Sequence, residues 1–137
     1  MSKKYKAMVL SCIDPRFQRK VFNYLKKKRL SDKYSIFTIA GGAIGVTHAH
    51  FKKWHRAFIE NLSISIKLHK IDRLIVINHK DCGAAKIING KKDFNEINES
   101  EIHKKSFIKL KKILQKKYPK LRLEFYLMSL NSSVQKF

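Results

Sequence analysis

Apolar positions along the chain fall into two alternating patterns. Residues 6–11, 34–40, 73–78 and 121–130 are short runs rich in Val, Ile, Leu, Phe and Tyr, and each reads as a strand. Between them the spacing turns helical. Phe17, Val21, Tyr24 and Leu25 recur on one face, predicting a helix that ends near Leu30, with Ser31-Asp32 as the turn. Phe51, Trp54, Phe58, Leu62 and Ile66 line a second helix running to about Lys70, with Thr47 expected as its cap. Gly83-Ala84-Ala85 opens a short third helix, and residues 89–100 are polar and expected as a loop. Ser100 followed by Glu101 suits the start of a last helix, whose stripe is Phe107, Leu110 and Leu114 and whose stop is Tyr118-Pro119. The final seven residues are expected as a tail. Strands alternating with helices predict one α/β domain over residues 1–137, with a mainly parallel central sheet of about four strands and helices on both faces.

Charge adds a question about partners. The 137 residues carry 31 Lys and Arg against 10 Asp and Glu, a formal net charge of +21. Such a balance brings nucleic acid or an acidic surface into view. Here Lys greatly outnumbers Arg, and the basic residues lack the Arg and aromatic interleaving of single-strand binding grooves. The charge therefore reads as a solvated surface, with nucleic acid as an open but unfavoured partner. No run approaches the roughly 20 apolar residues that span a membrane. The apolar segment between the Lys3-Lys4 pair and Cys12 is shorter than the core of about 7–15 residues of a signal peptide, so a cytoplasmic protein is expected.

Two reduced cysteines in that compartment fit metal binding better than a disulfide. Cys12 lies in Cys12-Ile13-Asp14-Pro15-Arg16, just past the first strand. Cys82 lies in His79-Lys80-Asp81-Cys82-Gly83, just past the third. If those strands are parallel neighbours, Cys12, His79 and Cys82 converge on one tetrahedral zinc ion per chain with a vertex left open. Three protein ligands and a water are the arrangement of a catalytic zinc, whereas structural zinc is closed by four. Gly41-Gly42 after the second strand allow a sharp turn and close approach. His48, His50 and His55 suit no common zinc spacing and read as capping or surface residues. His69 and His103 read as ordinary helix-surface residues.

With Cys12-x-Asp14-x-Arg16 and His79-x-x-Cys82-Gly83 both in place, the chain resembles the β-class carbonic anhydrases over most of residues 5–90. Ala40-Gly41 falls where that family has an Ala-Gly-Asn turn. Residues 62–70 followed by Ile71-Asp72-Arg73-Leu74-Ile75-Val76 look like its helix-then-strand approach to the second ligand pair. The resemblance implies a parallel sheet, a zinc ion, reversible hydration of carbon dioxide to bicarbonate by a zinc-bound hydroxide, and assembly as a homodimer or larger. The chain departs from the pattern where Gly42 replaces the usual Asn and Thr38-Ile39 the usual Arg-Asn, and it is short for the family.

Two thiolates and a neutral imidazole cancel the charge of zinc, making a weaker Lewis acid than three histidines do. A group that favours and orients hydroxide is then needed. Asp14 and Arg16 are the expected catalytic pair: Asp14 accepts the hydroxide's hydrogen bond, and Arg16 pairs with it bidentately. If that pair opened, Asp14 could become a fourth ligand. The N–H of Gly83 is a candidate donor to a bicarbonate oxygen, with Gly41 and Gly42 on the substrate side. Two other readings remain open: hydrolysis of carbonyl sulfide or carbon disulfide at the same zinc, and a catalytically silent zinc domain with a basic, nucleic-acid-binding surface.

Overall fold

The protein is represented by a computed structural model that describes residues 4–137; Lys3, of the basic pair near the start, lies outside the described residues. Every residue of β1 (Ala7–Ser11) is buried, as are all but the first of β3 (Arg73–His79). Strands covered on both faces must be apolar nearly throughout, and runs such as Ile75-Val76-Ile77 supply that. β2 (Tyr34–Thr38) lies outside β1, and β4 (Arg122–Met128) lies outside β3, all four parallel.

Residues 131–137 are not a tail. They fold back as β5 (Val134–Lys136), antiparallel to β4, so the sheet has five strands in the order β2-β1-β3-β4-β5. The return is made by Ser132 at φ 72°, with the Ser129 N–H donating to the Ser133 carbonyl and the Ser132 N–H to the Ser129 carbonyl. A three-residue strand is too short to show a period in the sequence, which is why the expected count stopped at about four.

Side chains alternate across the sheet with a period of two. Met8, Leu10, Leu74 and Val76 face Phe58 and Leu62 of α3 (Lys52–Ile64) and Phe107, Leu110 and Leu114 of α5 (Glu96–Lys117). Val9, Ile75 and Ile77 face the other way, onto Phe17 and onto Val21 and Leu25 of α1 (Gln18–Lys27). Helices thus cover both faces, as the alternation of elements predicts. Burying each large side chain of this kind contributes about 1.5–3 kcal/mol. Among the described residues no helix is long and apolar enough to cross a membrane.

Some local expectations shift. Thr47 ends α2 (Ala43–Thr47), donating its hydroxyl to the Ala43 carbonyl at 2.7 Å, instead of capping α3. The cap ahead of α3 is His48, whose Nδ1 accepts from the His50 N–H at 3.1 Å in the 3-10 turn Ala49–Phe51. α5 begins before Ser100, inside the expected loop. Asn95 caps it by accepting from the Asn98 N–H at 2.9 Å, and Glu96 and Glu99 in the first turn suit the positive end of the helix dipole. His103 on α5 is fully buried and not a surface residue. The short α4 (Gly83–Asn89) starts where the Gly-Ala-Ala signal puts it.

The chain leaves β1 toward one side of the sheet for β2 and crosses to the other side for β3. That reversal places a crevice between the C-terminal ends of β1 and β3, the usual ligand position in open α/β sheets.

Candidate metal centre

Both cysteines enter this crevice. Cys12 follows Ser11, which pairs with Ile77, while His79 ends β3 and Cys82 caps α4. The two sulfurs and a ring nitrogen of His79 lie within 4.8 Å of one another, all on buried residues. The convergence anticipated from the two motifs is therefore present.

Strand alternation aims His79 to the α1 side, where its ring stacks on Phe17 with centroids 4.1 Å apart. Its Nδ1–H donates to the Lys80 carbonyl at 2.8 Å, which fixes the tautomer and leaves a lone pair on Nε2. Nε2 is buried and has no hydrogen-bond partner among the described residues. A buried acceptor left unpaired beside two thiols calls for a ligand. A soft-ligand cation such as zinc fits this donor set, and three donors leave one position uncommitted.

A metal bound here would have to displace the protons these groups hold. The Cys82 thiol, hydrogen-bonded to the Cys12 sulfur, draws the Cys12 pKa down against the opposing effect of burial, helped by His79 and the N–H groups of Gly41 and Asp14. Cys82 is pushed up by that same bond to Cys12 and by its own burial. Burial lowers the His79 pKa, but the Cys12 sulfur, the Lys80 carbonyl and Asp14 outweigh it and leave it raised.

In front of the ligands stand Asp14 and Arg16, and they are paired. The Arg16 side chain donates to Asp14 through Nε at 3.1 Å to Oδ1 and through Nη2 at 2.8 Å to Oδ2. Asp14 also caps its own 3-10 turn, Pro15–Phe17, accepting from the Arg16 N–H at 2.8 Å. Arg16 holds the Asp14 pKa down to about 2, burial opposing. Oδ2 lies 3.8 Å from His79 Nε2, so the carboxylate borders the same opening. Arg16 is shared: Nη1 donates to Asp81 Oδ2 at 2.9 Å and Nη2 to the Asp81 carbonyl at 3.0 Å, tying the Cys12 loop to the His79–Cys82 loop.

Gly41 sits against Cys12, and Gly42 against Asn78 and the Ser11 backbone. Gly41, at φ 80°, donates its N–H to the Cys12 sulfur at 3.2 Å, and a Cβ there would come within 2.8 Å of Ala84 Cβ. The Gly42 N–H goes to the Ile39 carbonyl. Gly83 is exposed at the first position of α4, with nothing within 4 Å of where a Cβ would stand. His48 and His55 are not part of the Cys12, His79 and Cys82 group, the His55 ring donating to the His48 carbonyl at 2.9 Å.

Behind the centre lies a buried polar group that the sequence reading missed. Glu99 accepts from the N–H groups of Asp81 and Cys82, both at 2.9 Å, and from His103 Nε2 at 3.2 Å. Burial raises the Glu99 pKa, yet the His103 bond and the two amides more than offset it and leave it lowered. His103 Nδ1 accepts from Asn78 Nδ2 at 2.9 Å, and Asn78 Oδ1 accepts from the Ala43 N–H at 2.9 Å. A signal existed: Glu99 and His103 stand in phase with Phe107, Leu110 and Leu114, in a stripe that faces the sheet.

Comparison with known proteins bears on the same residues. The chain is 25% identical over 129 residues to an uncharacterized protein of Rickettsia conorii, covering 93% of this chain and 69% of that one. Its fold is similar to the crystal structure of a carbonic anhydrase from Streptococcus mutans, with a TM-score of 0.62 and 16% identity over 98% of this chain and 82% of that one. It is likewise similar to the β-carbonic anhydrase CcaA, with a TM-score of 0.68 and 13% identity over 99% and 81%. The apo form of a carbon disulfide hydrolase follows, with a TM-score of 0.54 and 17% identity over 98% and 79%. The sequence model of the family described as "Putative carbonic anhydrase" matches residues 1–118, a span that holds Cys12, His79, Cys82 and the carboxylates around them. By that match, across both loops that build the centre, this chain belongs to that carbonic anhydrase family.

Proposed function

We propose that the chain is a zinc-dependent lyase that interconverts carbon dioxide and bicarbonate. The observation that carries this reading is the convergence of two thiols on a buried His79 Nε2 that has no hydrogen-bond partner among the described residues. Cys12, His79 and Cys82 would hold one zinc ion per chain. Bound there, zinc would supply Lewis-acid chemistry, lowering the pKa of a water so that its proton can leave to solvent and a nucleophilic hydroxide remains.

The chain's own groups do the rest. Asp14, ionised at any working pH because Arg16 holds its pKa down to about 2, offers only acceptors. Placed 3.8 Å from His79 Nε2, it takes a hydrogen bond from the attacking water and sets its orientation. Arg16 fixes that carboxylate through two parallel bonds, which a lysine in its place would not reproduce. Gly83, open at the start of α4, leaves its amide for an oxygen of the product, and the Gly41-Gly42 turn closes the substrate side. Assembly as a homodimer or larger and a cytoplasmic location belong to the same proposal.

The test is metal analysis followed by stopped-flow carbon dioxide hydration on the same sample, with carbon disulfide run in parallel because a hydrolase of that molecule shares the fold. About one zinc per chain and hydration well above the buffer rate are expected. Metal-replete protein that leaves carbon dioxide at the background rate refutes the reading, and turnover of carbon disulfide alone moves the assignment to a hydrolase. Sedimentation velocity gives the assembly.

A further inference from the structure

We propose that Glu99 is a positioning residue for the metal loop; the inference rests on the reading of Cys12, His79 and Cys82 as metal ligands. Between His79 and Cys82 the backbone has to reverse within two residues. Asp81 makes the reversal at φ 60°, in the left-handed region that a residue with a side chain enters at a cost. In that conformation its N–H and the next one, on Cys82, turn to the same side and form a small anion-binding nest. The occupant is the Glu99 carboxylate, one oxygen on each amide at 2.9 Å.

Glu99 is 8% exposed, so water does not compete for these bonds. The group is also tied at its back. His103, one helical turn along, donates to it at 3.2 Å, and the line continues through Asn78 to the Ala43 N–H. Ala43 follows the Gly41-Gly42 turn, whose Gly41 N–H reaches the Cys12 sulfur at 3.2 Å. The series of bonds therefore runs through the interior from the amide of one cysteine ligand to the sulfur of the other. On the solvent side, Asp81 presents its carbonyl and its carboxylate to Arg16, at 3.0 Å and 2.9 Å. Glu99 thereby governs both the separation of the sulfurs and the outer anchor of Arg16.

A carboxylate is needed for this. It is an acceptor at both oxygens, whereas a glutamine would turn its NH2 group toward one of the two amides and set donor against donor. Ionised acceptors also make the stronger bonds to backbone N–H groups.

The experiment is Glu99→Gln in the full chain, read by three measurements. These are zinc affinity by competition with a chromophoric chelator, the absorption spectrum of the cobalt(II)-substituted protein, and the melting temperature without metal. Zinc binding about 10–100-fold weaker is expected, the range found when partners behind a metal ligand are lost. The thiolate-to-cobalt band should shift with it. A lower melting temperature with wild-type zinc affinity and an unchanged cobalt spectrum would make Glu99 a fold-stabilising residue only, and overturn the inference. If Glu99→Gln does not fold, His103→Leu is read the same way, since it removes one donor and keeps both amide bonds. Several-fold weaker zinc binding is expected there, and wild-type affinity overturns the inference. Wild-type protein that takes up neither zinc nor cobalt would sink the metal reading itself and Glu99's role with it, a result separable from failure of the variant alone.

Discussion

Cys12 and Cys82 leave neighbouring parallel strands at the same end of the sheet, yet the loops that carry them are held from opposite sides. Apart from the Gly41 N–H on its sulfur and the Arg16 bonds to Asp81, the Cys12 loop is held by side chains close to it in the chain and near water. Asp14 caps its own turn, Arg16 grips Asp14 from two positions on with a side chain 44% exposed, and the Gln18 side chain donates to the Cys12 and Asp14 carbonyls at 3.0 and 2.9 Å. The His79–Cys82 loop is held from the interior by Glu99, which comes from α5 and is backed by His103 and Asn78. Local, wet contacts are screened by salt and can be replaced by water. Buried bonds have no such replacement, and losing one partner strands the other, so they suit the geometry of the ligands. The centre thus pairs a rigid inner wall with an outer one that solvent can reach.

The largest effect expected across this division is on a ligand itself. Cys82→Ser should lose zinc altogether, because the structural contacts cannot substitute for a thiolate, and elemental analysis would decide it; a variant that still holds about one zinc per chain would remove Cys82 from the site. Arg16→Ala comes next. It should keep its zinc and lose about 100-fold or more in turnover through a misplaced Asp14. If the metal leaves with the arginine, the outer contacts are holding the ligands too and the contrast between the loops is wrong.

Gly42→Ala probes the inner wall. Gly42 sits at φ 56°, and a Cβ would lie 2.7 Å from Asn78 Oδ1, so strain of about 1–3 kcal/mol should appear in urea unfolding. Unaltered stability would show the turn to be slack against Asn78. The smallest effect is an acid one on metal-free protein. Asp14 has a folded pKa of about 2, below the roughly 3.9 of an unfolded aspartate. A depressed pKa contributes stability that is present above the unfolded value and lost as pH falls through the folded one. The stability difference between wild type and Asp14→Asn should therefore be full at neutral pH and shrink from about pH 4 downward toward about pH 2; a difference constant over that interval would detach Asp14 from its arginine.

Legibility of these parts follows the distance over which each is determined. The strand runs and the Phe107, Leu110 and Leu114 stripe could be read directly, since periodicity is a local property of the chain. β5 could not, because its three residues are a strand only by pairing with β4. His103 looked like a surface residue while the helix start was set at Ser100. With Asn95 as the cap, Glu99 joins the stripe, and a carboxylate and an imidazole one turn apart on a buried face become a polar pair that must be satisfied from within.

By itself the sequence determined the alternation of strands and helices, Cys12, His79 and Cys82 as candidate donors, and the Asp14-x-Arg16 unit. These depend on residue type and short spacing, and the chemistry of thiols, imidazoles and ion pairs travels with the residue. Only the tertiary structure decided that Arg16 would also reach Asp81, and that Glu99, His103 and Asn78 would carry one ligand loop from behind. Whether a polar side chain is buried, and which partner satisfies it there, depends on groups brought in from distant parts of the chain, and no local pattern encodes their arrival.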